Sequence, residues 1–172
     1  MKISKIVVGS LKENCYILSI EDKILVVDPG DEYSKIKEKI EGKKLLGVLI
    51  THHHFDHVGA LSELLEEYPV PLYDAKTKDK EVLIHPFHFK IISTQGHTND
   101  SVTFYFEDDK IMFTGDFLFK QSIGRTDLGG NDDDMRKSIQ KIKEYPDVLI
   151  YPGHGDETTL NFEKKFNPFL FP

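Results

Sequence analysis

The chain has 172 residues, of which 39% are hydrophobic and 30% charged, and its formal net charge is −7. This length and composition are typical of a globular protein, so we expect one domain spanning residues 1–172. The negative charge argues against a protein that binds the phosphate backbone of nucleic acids. No apolar run approaches the ~20 residues of a membrane-spanning helix. Since no targeting segment is recognisable either, we expect a cytoplasmic protein with no nucleic-acid or membrane partner.

The cysteine content excludes two further classes of protein. Cys15 is the single cysteine, so an internal disulfide and a multi-cysteine zinc site are both impossible. The apolar residues that follow it, Tyr16 to Leu18, predict a buried structural thiol rather than a nucleophile.

The first half of the chain alternates short strands with helices. Leu45 to Ile50 is apolar at nearly every position, which is typical of a strand covered on both faces. Ile36 and Ile40 lie four residues apart on one face of a predicted helix. Leu61, Leu64 and Leu65 have helical spacing in the next one. We predict strands at 5–8, 15–20, 23–27 and 45–50, and helices at 33–40 and 58–68.

The second half repeats this alternation, with a glycine- and aspartate-rich loop at 124–134. Met135, Ile139 and Ile142 have helical spacing and are expected to face inward. The segment 75–83 is charged, has no clear period and receives no assignment, and its charges are expected to form a solvated face. We predict strands at 70–73, 89–93, 102–106, 110–114 and 148–151, and helices at 135–145 and 157–165.

An aspartate or histidine follows the end of five apolar segments. Sites in layered α/β proteins collect on loops beyond the carboxyl ends of strands, so these polar residues converge if the strands share an edge. The glycine before three of them allows a close approach of the backbone. The five endings are Val27-Asp28, Ile50-Thr51-His52, Gln95-Gly96-His97, Thr114-Gly115-Asp116 and Pro152-Gly153-His154.

The densest of these segments is His52-x-His54-x-Asp56-His57, and imidazole and carboxylate are ligands that divalent transition metals prefer. Alternate residues of an extended segment point the same way, which groups His52 with His54. Asp56 and His57 follow a turn and can face a second ion. His97 could complete the first site, His154 the second, and Asp116 could bridge both through its two oxygens. An adventitious histidine tract is the alternative, but it does not explain the polar residues at the other strand ends.

Other residues of the same types have simpler explanations. His53 is expected to point away from the site, and His85 and His88 are expected to be surface or core residues. Asp28 is either a turn-forming residue before Pro29 or an acceptor that orients a ligand imidazole.

The sequence resembles the metallo-β-lactamase-fold hydrolases, through motifs that run in order along nearly the whole chain. The resemblance implies an α/β (α+β) fold, a four-layer αββα sandwich with a dinuclear site at one edge. It also implies that His52, His54 and His97 hold one metal ion, that Asp56, His57 and His154 hold the other, and that Asp116 bridges them. The motifs are Asp28, His52-x-His54-x-Asp56-His57, Gly96-His97-Thr98 with Ser101, Thr114-Gly115-Asp116 and Gly153-His154.

Within that superfamily the chain is most similar to the short glyoxalase II-like (hydroxyacylglutathione hydrolase-like) group. The supporting segments are 115–119, 122–128, 151–155 and 167–170. Gln95 and Asn99-Asp100 depart from that pattern beside the site. Only 18 residues follow His154, so we expect no C-terminal glutathione-binding helical domain.

The resemblance implies hydrolysis of S-lactoylglutathione-like hydroxyacyl thioesters, small molecules, by a metal-bridging hydroxide, with Asp56 and Asp116 as catalytic residues. Two divalent ions are expected, with zinc first and iron or manganese as alternatives. Arg125 either attracts an anionic group of the substrate or pairs with Asp127. The rival functions are a mononuclear iron persulfide dioxygenase, whose group shares a Gly-Arg-Thr-Asp segment, and a non-catalytic metal-binding protein. The sequence does not define the oligomeric state.

Overall fold

Two β-sheets lie face to face in the computed structural model, which describes residues 1–77 and 80–171. In the first sheet, β1 to β3 are antiparallel, and β3, β4 and β5 are parallel. The strands are adjacent in chain order: β1 (Lys2–Val8), β2 (Glu13–Ile20), β3 (Lys23–Val27), β4 (Lys44–Leu49) and β5 (Leu72–Tyr73).

The second sheet has six strands in the order β13-β12-β9-β8-β7-β6. Strands β6 to β9 are antiparallel to one another, whereas β12 pairs parallel with β9. A separate two-stranded hairpin, β10–β11, follows β9. The strands are β6 (Glu81–Ile84), β7 (Phe87–Ser93), β8 (Val102–Phe106), β9 (Ile111–Gly115), β10 (Leu118–Phe119), β11 (Ser122–Ile123), β12 (Leu149–Pro152) and β13 (Thr158–Thr159).

Helices cover the outer face of each sheet. Helix α1 packs Ile36 and Ile40, and α3 packs Leu64, against the first sheet. Helix α4 buries Met135, Ile139 and Ile142, and α5 buries Leu160, against the second sheet. Apolar side chains of both sheets, such as Tyr16 and Phe104, form a third cluster between them. The predicted αββα sandwich is confirmed. The helices are α1 (Tyr33–Ile40), α2 (Phe55–Val58), α3 (Leu61–Glu67), α4 (Asp132–Lys143) and α5 (Leu160–Phe166).

The prediction of one helix over 58–68 is wrong, because the chain is pinned at Gly59 and Ala60. The Ala60 N–H donates to the carbonyl of Pro29, at 3.0 Å. A Cβ at Gly59 would lie 2.2 Å from the carbonyl oxygen of Gly30, so only glycine permits this approach. The result is two helices, α2 and α3, with the histidine segment at the start of α2.

The remaining differences from the predicted elements are local. Within the unassigned segment 75–83, β6 begins at Glu81, and residues 78 and 79 lie outside the described residues, as does residue 172. The final helix begins three residues later than predicted, since β13 occupies Thr158–Thr159. Near the C-terminus, Leu170 packs into the cluster between the second sheet and helices α4 and α5. No helix in the described part of the chain has both the length and the apolar character needed to cross a membrane.

Candidate metal centre

Polar residues that follow five strands meet at one edge of the two sheets. Asp28 and His52 follow β3 and β4 of the first sheet, and His97, Asp116 and His154 follow β7, β9 and β12 of the second. Strands β7, β9 and β12 run in one direction, so their carboxyl ends share an edge. The convergence inferred from the sequence is present, although it combines the edges of two sheets.

One group of metal-binding side chains consists of His52, His54 and His97, which we call the first triad. One ring nitrogen from each lies within 4.8 Å of the others. His97 Nε2 and His54 Nδ1 lie 2.9 Å apart. These three nitrogens could hold a metal ion.

The other nitrogen of each imidazole in the first triad is held by a different partner. His54 Nε2 contacts the carbonyl oxygen of Leu128 at 2.9 Å, and His97 Nδ1 contacts that of Arg125 at 2.7 Å. His52 Nδ1 lies 3.1 Å from the Thr51 hydroxyl. When a carbonyl or hydroxyl oxygen accepts from one nitrogen, the opposite nitrogen keeps its lone pair, which faces the centre of the triad.

The second triad consists of Asp56, His57 and His154, whose candidate ligand atoms also lie within 4.8 Å of one another. His154 Nε2 is 3.2 Å and His57 Nε2 is 3.8 Å from Asp56 Oδ2. His57 is fully buried, whereas His154 and Asp56 are partly accessible from the cavity in front of the site. These atoms could hold a second ion.

Asp116 lies between the two triads. Its Oδ2 is 3.6 Å from His97 Nε2 of the first triad. Its Oδ1 is 3.3 Å from His57 Nε2 and 3.6 Å from His154 Nε2 of the second. One carboxylate thus presents an oxygen to each triad, which is the arrangement that a bridging ligand requires.

A buried aspartate stands behind both triads. Asp28 Oδ2 accepts from His57 Nδ1 at 2.9 Å and from the Thr51 hydroxyl at 2.6 Å, and Asp28 Oδ1 accepts from the Thr51 N–H at 2.8 Å. Because the Thr51 oxygen also contacts His52, Asp28 links one imidazole of each triad. This geometry favours the orienting role of Asp28, whose φ of 47° lies in the left-handed region where the chain leaves β3.

The electrostatics of the cluster favour a cation at its centre. Burial, together with His57, lowers the pKa of His52 to about 2, so that imidazole is neutral. Burial opposes ionisation of Asp116, but His57 and the other imidazoles hold its pKa at about 2. Burial would likewise lower the pKa of His57, yet the carboxylates of Asp116 and Asp28 raise it well above its usual value. Carboxylates that favour a positive charge at His57 also favour a metal cation.

Unpartnered buried atoms support the same conclusion. His52 Nε2, His57 Nε2 and Asp116 Oδ1 are buried and have no hydrogen-bond partner among the described residues. Leaving such atoms unsatisfied costs about 1–3 kcal/mol each. All three point into the cluster, and their nitrogen and oxygen chemistry fits a divalent transition metal.

Two glycines provide the space for this crowding. Gly115 has a φ of +51°, and a Cβ there would lie 2.2 Å from the Thr51 hydroxyl oxygen. A Cβ at Gly153 would lie 2.5 Å from Asp116 Oδ1 and 2.6 Å from His57 Cε1. Any other residue at either position would displace a side chain of the cluster.

Sequence reasoning missed one residue of this region, Glu13. Its side chain is buried, both carboxyl oxygens are without a hydrogen-bond partner among the described residues, and Oε1 lies 3.9 Å from His57 Nδ1. Burial first, and then the nearby charge of Asp28, raise the pKa of Glu13 well above its ordinary value. The one signal in the sequence was a charged residue at the start of the apolar strand β2.

The histidines that were not expected to bind metal lie away from the cluster. His53 is exposed and contacts Asp100 Oδ2 at 2.6 Å, and His85 and His88 lie on the surface. Arg125 directs its guanidinium to Asp127 in two contacts of 2.6 Å, so the ion-pair alternative is present. Cys15 is buried, as predicted.

Comparison with known proteins agrees with this fold. The sequence pattern of the metallo-beta-lactamase superfamily matches residues 8–81 and 71–154. The chain belongs to this superfamily. Among curated relatives, the probable metallo-hydrolase YqgX of Bacillus subtilis is 37% identical, with 99% of this chain and 98% of the relative covered. The hydroxyacylglutathione hydrolase GloC of Haemophilus influenzae is 32% identical, with the same coverage.

Two solved structures illustrate the range of proteins with this fold. The BLEG-1 B3 metallo-beta-lactamase superposes with a TM-score of 0.94 at 30% identity, covering 99% of this chain and all of the other. TTHA1623 in a di-iron-bound form superposes with a TM-score of 0.87 at 29% identity, covering 97% and 100%. The chain is therefore a metallo-hydrolase by family.

Proposed function

We propose that this protein is a dinuclear metal-dependent thioester hydrolase of the short glyoxalase II-like group, acting on hydroxyacyl thioesters related to S-lactoylglutathione. The observation that carries this proposal is the position of Asp116, with one oxygen toward each complete triad. In this proposal the first triad and Asp116 hold one ion, and the second triad and Asp116 hold the other. Asp28 orients His57 and, through Thr51, His52.

The two ions, when bound, supply Lewis acidity toward the substrate carbonyl and lower the pKa of water. The chain supplies the rest of the machinery. Asp56 and Asp116 line the cavity in front of the triads, where their carboxylates can accept a hydrogen bond from the attacking water and orient it. Asp28, Thr51 and the two loop carbonyls keep the imidazoles fixed through the reaction.

Thioesters suit this site because their leaving group needs little help. A thiol has a pKa of about 8.5, so the thiolate departs near neutral pH without a dedicated acid. The named activity of the GloC relative supports the same chemistry. We expect zinc as the metal. Iron is an alternative, because TTHA1623 has a di-iron-bound form, and manganese is another. The proposed setting is the cytoplasm, with a small-molecule substrate and no nucleic-acid or membrane partner.

The rival persulfide dioxygenase hypothesis rests on the segment Gly124 to Asp127. In this chain that segment already has structural roles: the Arg125 carbonyl holds His97, and the Arg125 guanidinium binds Asp127. A dioxygenase with one iron would also leave the second triad without a purpose. The same triad argues against a metal-binding protein with no activity.

Metal analysis combined with three assays on the metal-loaded protein tests the proposal. We expect two metals per chain and hydrolysis of S-lactoylglutathione or a simpler hydroxyacyl thioester. Oxygen uptake on a glutathione persulfide with one iron per chain would replace this proposal with the dioxygenase. Cleavage of a β-lactam without thioester turnover would replace it with the activity named for BLEG-1.

A further inference from the structure

We propose that, among the thioesters open to this hydrolase, the cavity in front of the two triads prefers those with an apolar acyl group to anionic ones such as S-lactoylglutathione. This inference rests on the proposed function and names the substrate class of the same site. It depends on two features of the cavity, the composition of its wall and the pairing of the charges near it.

The cavity has a volume of about 710 Å³, which is large enough for a small organic molecule. The candidate ligands form its floor. Its wall is formed by four large apolar side chains from separate parts of the chain: Leu11 between β1 and β2, Phe55 at the start of α2, Phe119 in β10 and Leu128 before α4.

Three of these side chains are unusually accessible. Leu11 is 52%, Phe55 73% and Leu128 49% exposed. Single exposed apolar residues are ordinary on protein surfaces, but several around one concave site mark a binding surface. An apolar substituent placed among them would remove both its own surface and theirs from water, which favours binding.

The wall offers little to an anionic group. Of the described residues that line the cavity, only Arg125 carries a permanent positive charge, and two of its nitrogens are bound to Asp127 at 2.6 Å. Lys120 lies on the adjoining surface beside Phe119, and its Nζ is 3.5 Å from Asp156 Oδ2. A substrate carboxylate would have to compete with an aspartate for either cation. The apolar wall therefore carries the selectivity.

The test uses a series of thioesters of one neutral thiol, N-acetylcysteamine, with acetyl, butyryl and hexanoyl groups, and S-lactoylglutathione as the anionic comparison. We expect kcat/KM of the metal-loaded enzyme to rise by at least about tenfold from acetyl to hexanoyl. The double variant Leu11→Ser/Leu128→Ser should flatten that rise. The variant Leu83→Ser removes a leucine that is 75% exposed on β6 and is the matched control, with the full rise retained.

A separate variant tests the pairing of Arg125 with Asp127. Asp127→Asn releases the Arg125 guanidinium while leaving its backbone carbonyl on His97. We expect kcat/KM for S-lactoylglutathione to increase several-fold in this variant, with the values for the neutral series unchanged. Arg125→Gln, in the Asp127→Asn background, should reverse the increase.

The possible results separate this inference from the proposed function. Thioester turnover with no dependence on acyl length, or with the highest kcat/KM on S-lactoylglutathione in the wild type, would overturn the inference alone. Absence of turnover on every thioester by the two-metal protein would overturn both. As a readout without chemistry, the thioether S-hexyl-N-acetylcysteamine should bind the wild type more tightly than the double variant in calorimetry, and equal binding would contradict the assignment of the wall.

Discussion

The two triads of the candidate metal centre are built in different ways. The first triad uses three imidazoles, two of them fixed by backbone carbonyls of the loop at 124–128. The second uses a carboxylate, Asp56, an accessible imidazole, His154, and a buried imidazole, His57, that is fixed by the charge of Asp28. The metal position at the first triad (the first position) thus depends on loop conformation. The metal position at the second triad (the second position) depends on buried charge. This difference predicts that substitutions will affect the two positions separately, except at residues that both positions share.

The largest effect is expected at the residue common to both triads. Asp116→Ala removes the oxygens that face His97 and His57, so both positions lose a ligand and both imidazole groups lose a nearby negative charge. We expect metal content to fall at both positions and turnover to drop by more than about 100-fold, which exceeds the usual effect of changing a residue that only hydrogen-bonds to a metal ligand. Metal analysis and hydrolysis kinetics test this, and an active variant with one full metal equivalent would show that Asp116 serves one triad only.

A pair of variants separates the two positions. His57→Ala should lower occupancy of the second position and leave the first largely filled, because the first triad keeps all three nitrogens. His54→Ala should do the reverse. Metal titration of the two proteins distinguishes these outcomes. His53→Ala is the control, since that exposed histidine binds Asp100 outside the cluster, and it should retain both metals. Equal loss of both metals in His57→Ala would contradict the separation.

A smaller effect is expected from the residue behind the triads. Asp28→Asn keeps the size of the side chain but removes the charge that His57 and Thr51 contact. We expect a loss of about 10–100-fold in metal affinity or activity. The loss should be greater at the second position, because His57 contacts Asp28 directly whereas His52 does so through Thr51. A larger loss at the first position would mean that Thr51, rather than His57, is the main partner of Asp28.

The smallest predicted effect concerns stability. Folding raises the pKa of Glu13, so the folded protein keeps a proton that the unfolded chain releases above about pH 4.3. The contribution of Glu13 to stability therefore declines as pH rises from that value toward the folded pKa. Glu13→Gln removes this decline, and we expect it to stabilise the metal-free protein at pH 7.

The measurement is thermal unfolding of the metal-free wild type and the metal-free Glu13→Gln variant, each at pH 4 and pH 7. Tm of the variant should exceed that of the wild type at pH 7, by about 2–4 °C for each kcal/mol, and the difference should shrink at pH 4. A lower Tm of the variant at both pH values would mean that the Glu13 carboxyl stabilises the folded protein, which would contradict this prediction.

Much of the fold could be predicted because its local patterns agree with its tertiary environment. The bounds of β3, α1 and β8 match the predictions, since each has clear periodicity and is flanked by turn residues. The break between α2 and α3 could not be predicted, because it depends on contacts of Gly59 and Ala60 with a distant turn. The short strands β10 and β13 are likewise defined by pairing partners rather than by composition.

The candidate site divides in the same way. The convergence of both triads could be predicted, because their segments follow strands and carry metal-binding residue types. Their role as metal ligands stays a prediction. The place of Glu13 could not be predicted, because a glutamate at the start of a strand is usually solvated, and its burial depends on Asp28 and His57, which come from other segments. The role of the Arg125 carbonyl was also hidden, because a backbone contact leaves no residue-type signal.

Turnover as a function of bound metal tests the central claim most directly. Metal-free protein is titrated with zinc while hydrolysis of a hydroxyacyl thioester is followed and bound metal is measured. Two triads that share Asp116 predict that full activity requires the second metal equivalent per chain, and that His57→Ala stops after the first. Full activity at one equivalent per chain, with no further change on adding the second, would contradict the account.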